Sequence, residues 1–289
     1  MIYMQNVVRC TRHTIAIVAF ALAGCRAPLQ APTVTPEIVP LYFMTDDSTN
    51  PMLQELATAY QQKNDLVAIV NQFDNGSNIQ IALSQRTIPY AITTLIPQDN
   101  DWAAPLGYEG IAIITHPNVI IDRLTAQELR QIFSGTVNSW SEFEGRSSES
   151  QIVVVSREEG AVLRTNFQHL VMGQRPISAG ARLAPTSQAM LDIVANTPGA
   201  IGYVELSLLN NKVNTVPVAE YANTLAISIS RDTIADGSYP LQMPVLVIGK
   251  NPPEIGDGYY EFILWAQQGE GRSIISRYYV PVALDNINQ

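Results

Sequence analysis

Positive charge is scarce in this sequence. Its 289 residues include 17 Lys and Arg against 26 Asp and Glu, which gives a formal net charge of -9, and no run of basic residues occurs. Proteins that bind nucleic-acid phosphates or anionic lipid headgroups electrostatically present a basic patch or stripe. The sequence therefore argues against nucleic acid as a partner.

Cysteine and histidine are also rare, with two Cys and three His in the whole chain. The sequence contains no Cys-x-x-Cys or His-Glu-x-x-His metal motif, no Gly-x-Ser-x-Gly nucleophile elbow, no phosphate-binding Gly-Lys loop and no dinucleotide fingerprint. We therefore expect no metal, no cofactor and no enzymatic activity. A secreted hydrolase would need catalytic residues that are distant in the sequence.

Long apolar runs are missing as well. Residues 15–22 are apolar and follow two arginines, but this run is shorter than the roughly 20 residues that cross a bilayer. Its length and flanks predict a secretory signal. The run ends in Leu22-Ala23-Gly24-Cys25, which resembles the bacterial lipoprotein signal whose Cys is acylated. We expect residues 1–24 to be removed and Cys25 to carry lipid, the alternative being a buried N-terminal helix.

A proline-rich stretch follows the predicted cleavage site. Residues 25–37 contain Pro28, Pro32 and Pro36 and show no apolar periodicity, which is typical of a semi-extended linker. Lipid on Cys25 would then hold a folded domain at the extracytoplasmic face of the cell membrane. Cys10 would leave with the signal, so the mature chain would contain no disulfide.

The remainder of the chain alternates β-rich runs with helical patterns. The predicted strands are 38–44, 67–71, 110–115, 152–156, 181–184 and 225–230, and the predicted helices are 52–62, 79–84, 126–133, 161–172, 188–195, 259–267 and 273–279. Alternation of this kind predicts an α/β fold with mostly parallel sheets. The length from residue 37 onward fits one large domain or two smaller ones.

Two helix starts carry readable caps. Thr125-Ala126-Gln127-Glu128 has the pattern of a capping box, which we interpret as structural. Ser48-Thr49-Asn50-Pro51 combines cap residues with a proline that suits the first helical turn. The free amides of such a helix start also favour anions, so the second pattern is compatible with an anion site.

Motifs along nearly the whole folded part resemble one family. They are Leu106-Gly107-Tyr108-Glu109-Gly110, Leu129-Arg130-Gln131-Ile132-Phe133-Ser134-Gly135, Asn138-Ser139-Trp140, Val154-Val155-Ser156-Arg157-Glu158-Glu159-Gly160, Gly199-Ala200-Ile201-Gly202-Tyr203, Tyr239-Pro240-Leu241 and Gly269-Glu270-Gly271. Their order and spacing resemble the phosphate-binding proteins that feed ABC importers. A set of ordered motifs is more specific than any one motif alone.

The resemblance implies a type 2 periplasmic-binding-protein fold, an α/β fold with two lobes and a double crossover hinge. Lobe 1 would comprise residues 38–113 and 226–289, and lobe 2 residues 114–225. The predicted strands 110–115 and 225–230 would form the two crossovers. The implied partners are inorganic phosphate or a similar oxyanion and the subunits of an ABC permease, and the protein would be a monomer.

The resemblance also implies ligand-binding residues in four segments. Thr49 and Asn50 match the first segment and Ser77 the second, although plain helix caps are an alternative role for all three. In the third segment Thr94 stands where the family usually has an Asp, which leaves selectivity between oxyanions open. Asp46 or Asp47 is a further candidate for the missing acceptor, but a solvated loop acid is the simpler interpretation.

The fourth segment contains Arg157, the expected partner of the anion. The Ser-Gly-Thr that the family has after Gly160 is replaced here by Ala161-Val162-Leu163. Two hydroxyl donors are thereby lost, and only the backbone amides of Gly160, Ala161 and Val162 would be available. Alternatively, Arg157 pairs with Glu158, Glu159 or another acid.

These observations favour a lipid-anchored solute-binding protein that captures phosphate or a related oxyanion for an ABC importer. The alternative is a non-transporting envelope sensor or interaction protein whose anion cleft has degenerated, as the departures at Thr94 and at residues 161–163 suggest.

Overall fold

The computed structural model describes residues 37–143 and 151–283. The predicted signal peptide, the predicted acylation site Cys25 and the predicted tether up to residue 36 lie outside the described residues. Within the described ranges, no helix has the length and apolar character needed to cross a membrane.

Helices and strands alternate through the described ranges. The strands are β1 (Val39–Thr45), β2 (Val67–Phe73), β3 (Tyr90–Thr93), β4 (Trp102–Thr115), β5 (Leu124–Thr125), β6 (Val153–Arg157), β7 (Arg182–Ala184), β8 (Ala200–Glu205), β9 (Asn214–Thr215), β10 (Val218–Ala219), β11 (Gln242–Gly249) and β12 (Val280–Pro281). The α-helices are α1 (Asn50–Gln61), α2 (Gly76–Gln85), α3 (Ala126–Phe133), α4 (Val162–Phe167), α5 (Ser187–Asn196), α6 (Arg231–Ala235), α7 (Gly258–Ala266) and α8 (Gly269–Tyr278). Short 3₁₀ turns cover Trp140–Glu142 and Leu206–Leu208, and a π-helical turn covers Gln168–Met172.

One large sheet has the strand order β2-β1-β3-β11-β4-β8-β6-β7, with β9 and β12 also paired to β4. The strands at its two ends run parallel, whereas β11 and β8 run antiparallel to β4. The N-terminal part of β4 pairs with β11 and its C-terminal part pairs with β8. The sheet is therefore mixed, and the prediction of mostly parallel sheets is wrong around the 14-residue strand β4.

The apolar core consists of separate clusters that lie along the two parts of β4. One cluster is built on the C-terminal part of β4 and includes Phe167 and Tyr203, whose rings are stacked with centroids 4.0 Å apart. A second cluster includes Phe43 and Phe262 and packs against α1, α7 and α8. Strands β3 and β8 are buried along their whole length, as expected for strands that are covered on both faces.

Most predicted elements are present, and α3 has the predicted bounds. The capping box at its start is also confirmed, because Thr125 and Glu128 make both of the reciprocal bonds. The predicted strand 225–230 is wrong, since this segment forms only an isolated bridge between Ile227 and Val218. Its last residue, Ser230, caps α6 instead.

The strand that pairs with β4 in place of 225–230 is β11, which the sequence analysis did not predict. Strand β4 begins at Trp102, well before the predicted start at residue 110, and its first part provides the partner for β11. The two-lobe boundaries at residues 113 and 225 remain a prediction.

Candidate functional site

The loop between β1 and α1 is organised by the side chain of Asp46. This carboxylate is 1% exposed, and its Oδ1 accepts from the backbone amide of Ser48 at 2.9 Å and from the Ser48 hydroxyl at 2.5 Å. Its Oδ2 accepts from the hydroxyl of Thr93 at 2.6 Å. Burial raises the pKa of Asp46, although the bonds from Ser48 and Thr93 oppose the shift. Asp46 therefore fastens the loop to the end of β3.

Thr49 and Asn50 lie at the start of α1, as predicted, but both side chains are paired within the protein. The buried Thr49 hydroxyl donates to the carbonyl oxygen of Ile92 at 2.6 Å and does not cap the helix. The side-chain oxygen of Asn50 accepts from Nδ2 of Asn71 at 2.7 Å. The first predicted segment thus offers no free hydroxyl, and the backbone amides of Ser48, Thr49 and Asn50 all donate to Asp46.

Ser77 and Gly160, from the second and fourth predicted segments, are neighbours in the structure. The amide of Gly76 donates to the carbonyl oxygen of Gly160 at 2.9 Å, and Ser77 is exposed. Gly160 has φ +89°, and a Cβ added there would lie 3.1 Å from the Ser77 hydroxyl. Both residues line an open cavity of about 600 Å³ together with Arg164 and Gln168.

Arg157 ends β6 and has only 3% of its side chain exposed. Its Nη1 donates to the Ser187 hydroxyl at 3.0 Å, at the start of α5. Its Nη2 donates to Asp47 Oδ2 at 2.9 Å, to Glu158 Oε1 at 3.2 Å and to the carbonyl oxygen of Pro185 at 3.3 Å. The Nε of Arg157 is buried and has no hydrogen-bond partner in the described part of the chain.

The charge of Arg157 is stabilised by its acidic neighbours. Burial lowers the pKa of this guanidinium, but the carboxylates of Asp47 and Glu158 outweigh burial and raise it. Pairing with Glu158 was one of the alternatives that the sequence analysis left open, and it is present together with the contact to Asp47. Among the described residues, Arg157 is the only Lys or Arg that is buried.

Residues 161–163, where the family resemblance led us to expect hydroxyl side chains, are buried and apolar. Val162 is 2% exposed and belongs to an apolar cluster with Leu95 and residues of α2. A Cβ added at Gly76 would lie 2.9 Å from Val162 Cγ2, so the two segments are in close contact. The amide of Ala161 donates to the carbonyl oxygen of Glu158 at 3.3 Å. An apolar contact therefore joins the start of α2 to the start of α4.

Thr94 is also buried and engaged. Nδ2 of Asn166, on α4, donates to the Thr94 carbonyl oxygen at 2.9 Å and lies 3.1 Å from its hydroxyl. The Oδ1 of Asn166 is buried without a partner among the described residues. The pair links the end of β3 to α4.

Two buried acids near Asp47, Glu205 and Glu109, were not among the predicted site residues. Glu205 is the last residue of β8 and lies close enough to Ser187 for a side-chain hydrogen bond, and Glu109 lies on the adjacent strand β4. Burial raises the pKa of each carboxyl group to about 7. The hydroxyl of Tyr279 donates to the Ser48 carbonyl oxygen at 2.6 Å and lies near the same two glutamates. A charged residue within an otherwise apolar strand was the signal that could have revealed both glutamates.

This arrangement is suited to holding an anion at one place. Arg157 adjoins the start of α5, whose dipole favours negative charge. The amides at the start of α1 already donate to Asp46. The acids nearby limit that preference, because Asp47 and Glu158 already contact the guanidinium. No group of three or more metal-ligating side chains occurs within the described ranges.

This chain is similar to one known protein family and to individual phosphate-binding proteins. The family described as "PBP superfamily domain" matches residues 30–267 of this chain. Phosphate-binding protein PstS of Bacillus subtilis (strain 168) is 28% identical over 134 residues, which are 46% of this chain and 41% of that protein. Phosphate-binding protein PstS 2 of Streptococcus pneumoniae (strain ATCC BAA-334 / TIGR4) is 29% identical over 134 residues, or 43% of this chain and 44% of that protein. The matches thus span less than half of either relative.

Solved structures show the same fold. An ABC-type phosphate transport receptor from Vibrio cholerae superposes with a TM-score of 0.73 at 19% identity, covering 84% of this chain and 100% of that chain. A Clostridium perfringens protein crystallised with bound phosphate gives a TM-score of 0.71 at 23% identity, covering 85% of this chain and 100% of that chain. These likenesses confirm the predicted α/β periplasmic-binding-protein fold.

Proposed function

Because this chain belongs to the PBP superfamily domain family, we propose that it is the extracytoplasmic solute-binding protein of an ABC importer, with phosphate or a related oxyanion as its ligand. The relatives cited above are named as phosphate-binding proteins, and a structural neighbour as a phosphate transport receptor. These names favour a binding protein over an enzyme, and an importer component over a non-transporting sensor.

The observation that carries the proposal is the buried guanidinium of Arg157. A buried charge is costly unless it is paired, and a guanidinium presents donors that match an oxyanion in geometry as well as charge. Arg157 lies at the meeting point of two helix starts and keeps its Nε donor without a partner in the described structure. An oxyanion placed beside this donor would complete its hydrogen bonding.

The proposed ligand-binding residues are Thr49, Asn50, Ser77, Thr94, Arg157, Gly160, Ala161 and Val162. Several of their polar groups are paired within the protein, including the Thr49 hydroxyl and the Ala161 amide. Ligand entry then requires that contacts such as Gly76 to Gly160 and Asn166 to Thr94 separate. Such opening fits two lobes, 38–113 with 226–289 and 114–225, that move about a hinge.

The first test of the proposal is a calorimetric titration of the purified protein with phosphate, sulfate and arsenate. We expect saturable binding of phosphate or of one of the related oxyanions, and a rise in melting temperature with the ligand that binds. Absence of both heat and thermal stabilisation with all three anions would contradict the proposed function.

We further propose that residues 1–24 are a signal peptide and that lipid on Cys25 anchors the chain, as a monomer, next to the permease subunits. Replacement of Cys25 by Ser should release the protein from the membrane fraction of fractionated cells. A Cys25→Ser variant that stays as membrane-bound as the parent would contradict the anchor without affecting the ligand proposal.

A further inference from the structure

Asp47 and Arg157 form an ion pair between two distant parts of the chain. Asp47 lies in the loop between β1 and α1, and Arg157 ends β6, 110 residues later. Oδ2 of Asp47 is 2.9 Å from Nη2 of Arg157, and the Asp47 side chain is 33% exposed. The pair therefore joins a solvent-accessible carboxylate to a buried cation.

The two neighbouring acids of this loop have different roles. Asp46 is fully engaged by Ser48 and Thr93, so it holds the loop in place without any contact to Arg157. The only hydrogen bond of the Asp47 side chain to the described residues is the one to Arg157. The loop can thus keep its conformation while the Asp47 side chain leaves the guanidinium.

A carboxylate and an oxyanion compete for the same donors of a guanidinium, because each accepts charge-assisted hydrogen bonds from it. Nη2 of Arg157 already contacts Asp47, Glu158 and the carbonyl oxygen of Pro185. The Nε of Arg157 has no partner among the described residues, and an oxyanion that binds it in a two-pronged contact uses the adjacent Nη2 as its second donor. There it would meet the charge of Asp47 at the distance of a direct contact. Ligand binding at this donor therefore requires Asp47 to move away.

We propose that Asp47 is a tethered competitor that occupies Arg157 when no ligand is present. This inference rests on the proposed function and concerns the regulation of the same site. The apparent affinity for the oxyanion equals the intrinsic affinity multiplied by the fraction of molecules in which Asp47 does not contact Arg157. Asp47 thereby sets the ligand concentration above which the site fills.

The variant Asp47→Asn, made in the full chain, tests the proposal. It keeps the size of the side chain and removes the charge that competes for Arg157. Calorimetric titration with inorganic phosphate should show an affinity about tenfold or more above that of the parent. In the parent, the ion pair between Asp47 and Arg157 forms in most molecules and keeps phosphate from the site in those molecules. Asp47→Ser, which cannot reach the guanidinium in the same way, should give a gain of similar size.

Glu158→Gln is the matched control. Glu158 contacts the same Nη2 atom at 3.2 Å and is also partly exposed, but it adjoins Arg157 in the sequence and does not connect two segments. If only the removal of nearby negative charge mattered, both variants would gain equally. We expect the gain from Glu158→Gln to be less than about threefold, because the Glu158 side chain is more exposed than that of Asp47 and its contact with Nη2 is longer.

Three results would overturn the inference. Weaker phosphate binding by Asp47→Asn would mean that Asp47 accepts a hydrogen bond from protonated phosphate instead of competing with it. Equal gains in Asp47→Asn and Glu158→Gln would reduce the effect to general electrostatics. Absence of binding of phosphate, sulfate and arsenate to the parent and to Asp47→Asn alike would refute the proposed function itself, and the inference with it.

Discussion

The two sides of the candidate site satisfy their polar groups in different ways. On the side of the β1–α1 loop, both Asp46 oxygens and the Thr49 hydroxyl have short hydrogen bonds to neighbouring groups. On the side of β6, Arg157 Nε and Glu158 Oε2 are buried without a partner among the described residues. Buried polar groups are usually paired, so this difference supports the proposal that the ligand binds at Arg157, and it gives Asp46 a structural role in the loop.

Replacement of Arg157 should have the largest effect on this comparison. Arg157→Ala removes the buried cation and its charge-assisted hydrogen bonds, so oxyanion affinity should fall by at least about 100-fold. Calorimetric titration measures the change. The control Arg182→Ala removes an exposed guanidinium that donates to the hydroxyl of Thr197. Equal binding by Arg157→Ala and the parent would show that the ligand lies elsewhere.

The buried acids Glu109 and Glu205 should make the stability of the protein depend on pH. Burial raises the pKa of Glu109 and of Glu205 to about 7 in the folded state, whereas the unfolded chain titrates near the ordinary value of about 4.3. The folded state therefore holds more protons between these values, and the free energy of unfolding decreases as pH rises through this window. Across this window, each of the two glutamates should lower the free energy of unfolding by on the order of 3 kcal/mol.

Urea denaturation at pH 5 and pH 8 tests this sign. The parent should be more stable at pH 5, and Glu205→Gln should lose about one group's share of the difference, because Gln carries no proton to release. Glu254→Gln, at an exposed position, should leave the difference unchanged. A parent that is more stable at pH 8 than at pH 5 would contradict the raised pKa of Glu109 and Glu205.

The structural role of Asp46 predicts a loss of stability of intermediate size. Asp46→Ala leaves the Ser48 amide and the Thr93 hydroxyl without their acceptor, and unfolding should become easier by about 2 kcal/mol. Chemical denaturation monitors the change, with Asp65→Ala at an exposed position as the control. If Asp46→Ala loses less stability than the control variant, Asp46 does not anchor the loop.

The smallest expected effect concerns Gly160. Its φ of +89° is unfavourable for any residue with a Cβ, and Gly160→Ala should lower the free energy of unfolding by about 1 kcal/mol. Gly173 also has positive φ, at +58°, but an added Cβ there meets nothing within 4 Å. If Ala at Gly160 also disturbs Ser77, it should weaken oxyanion binding, whereas Gly173→Ala should change stability only. Identical oxyanion binding by both variants would show that Ser77 takes no part in the site.

Much of the fold could be predicted from local patterns. The α3 helix was placed correctly because its capping box and apolar spacing lie within a few residues of one another. Strand β11 was missed and the segment 225–230 was assigned instead, because both are short apolar runs and only pairing with the distant β4 distinguishes them. The partners of a strand in a mixed sheet are set by tertiary contacts that no local window contains.

The same limit applies to the site. The sequence indicated Arg157 and two candidate acids, Asp46 and Asp47, but could not separate the roles of adjacent residues. The structure separates them, since Asp46 turns to Thr93 on β3 and Asp47 reaches Arg157 across 110 residues of sequence. The packing of Val162 against Gly76 likewise depends on contact between two helix starts, and no spacing rule predicts such a contact.

Displacement of Asp47 by an oxyanion at Arg157 would be visible in a crystal structure of the full chain grown with phosphate. We expect a phosphate oxygen within hydrogen-bonding distance of Arg157, about 2.7 to 2.9 Å from a guanidinium nitrogen, with the Asp47 carboxylate moved off Nη2. Phosphate bound elsewhere, or bound at Arg157 while Asp47 keeps its contact, would contradict it.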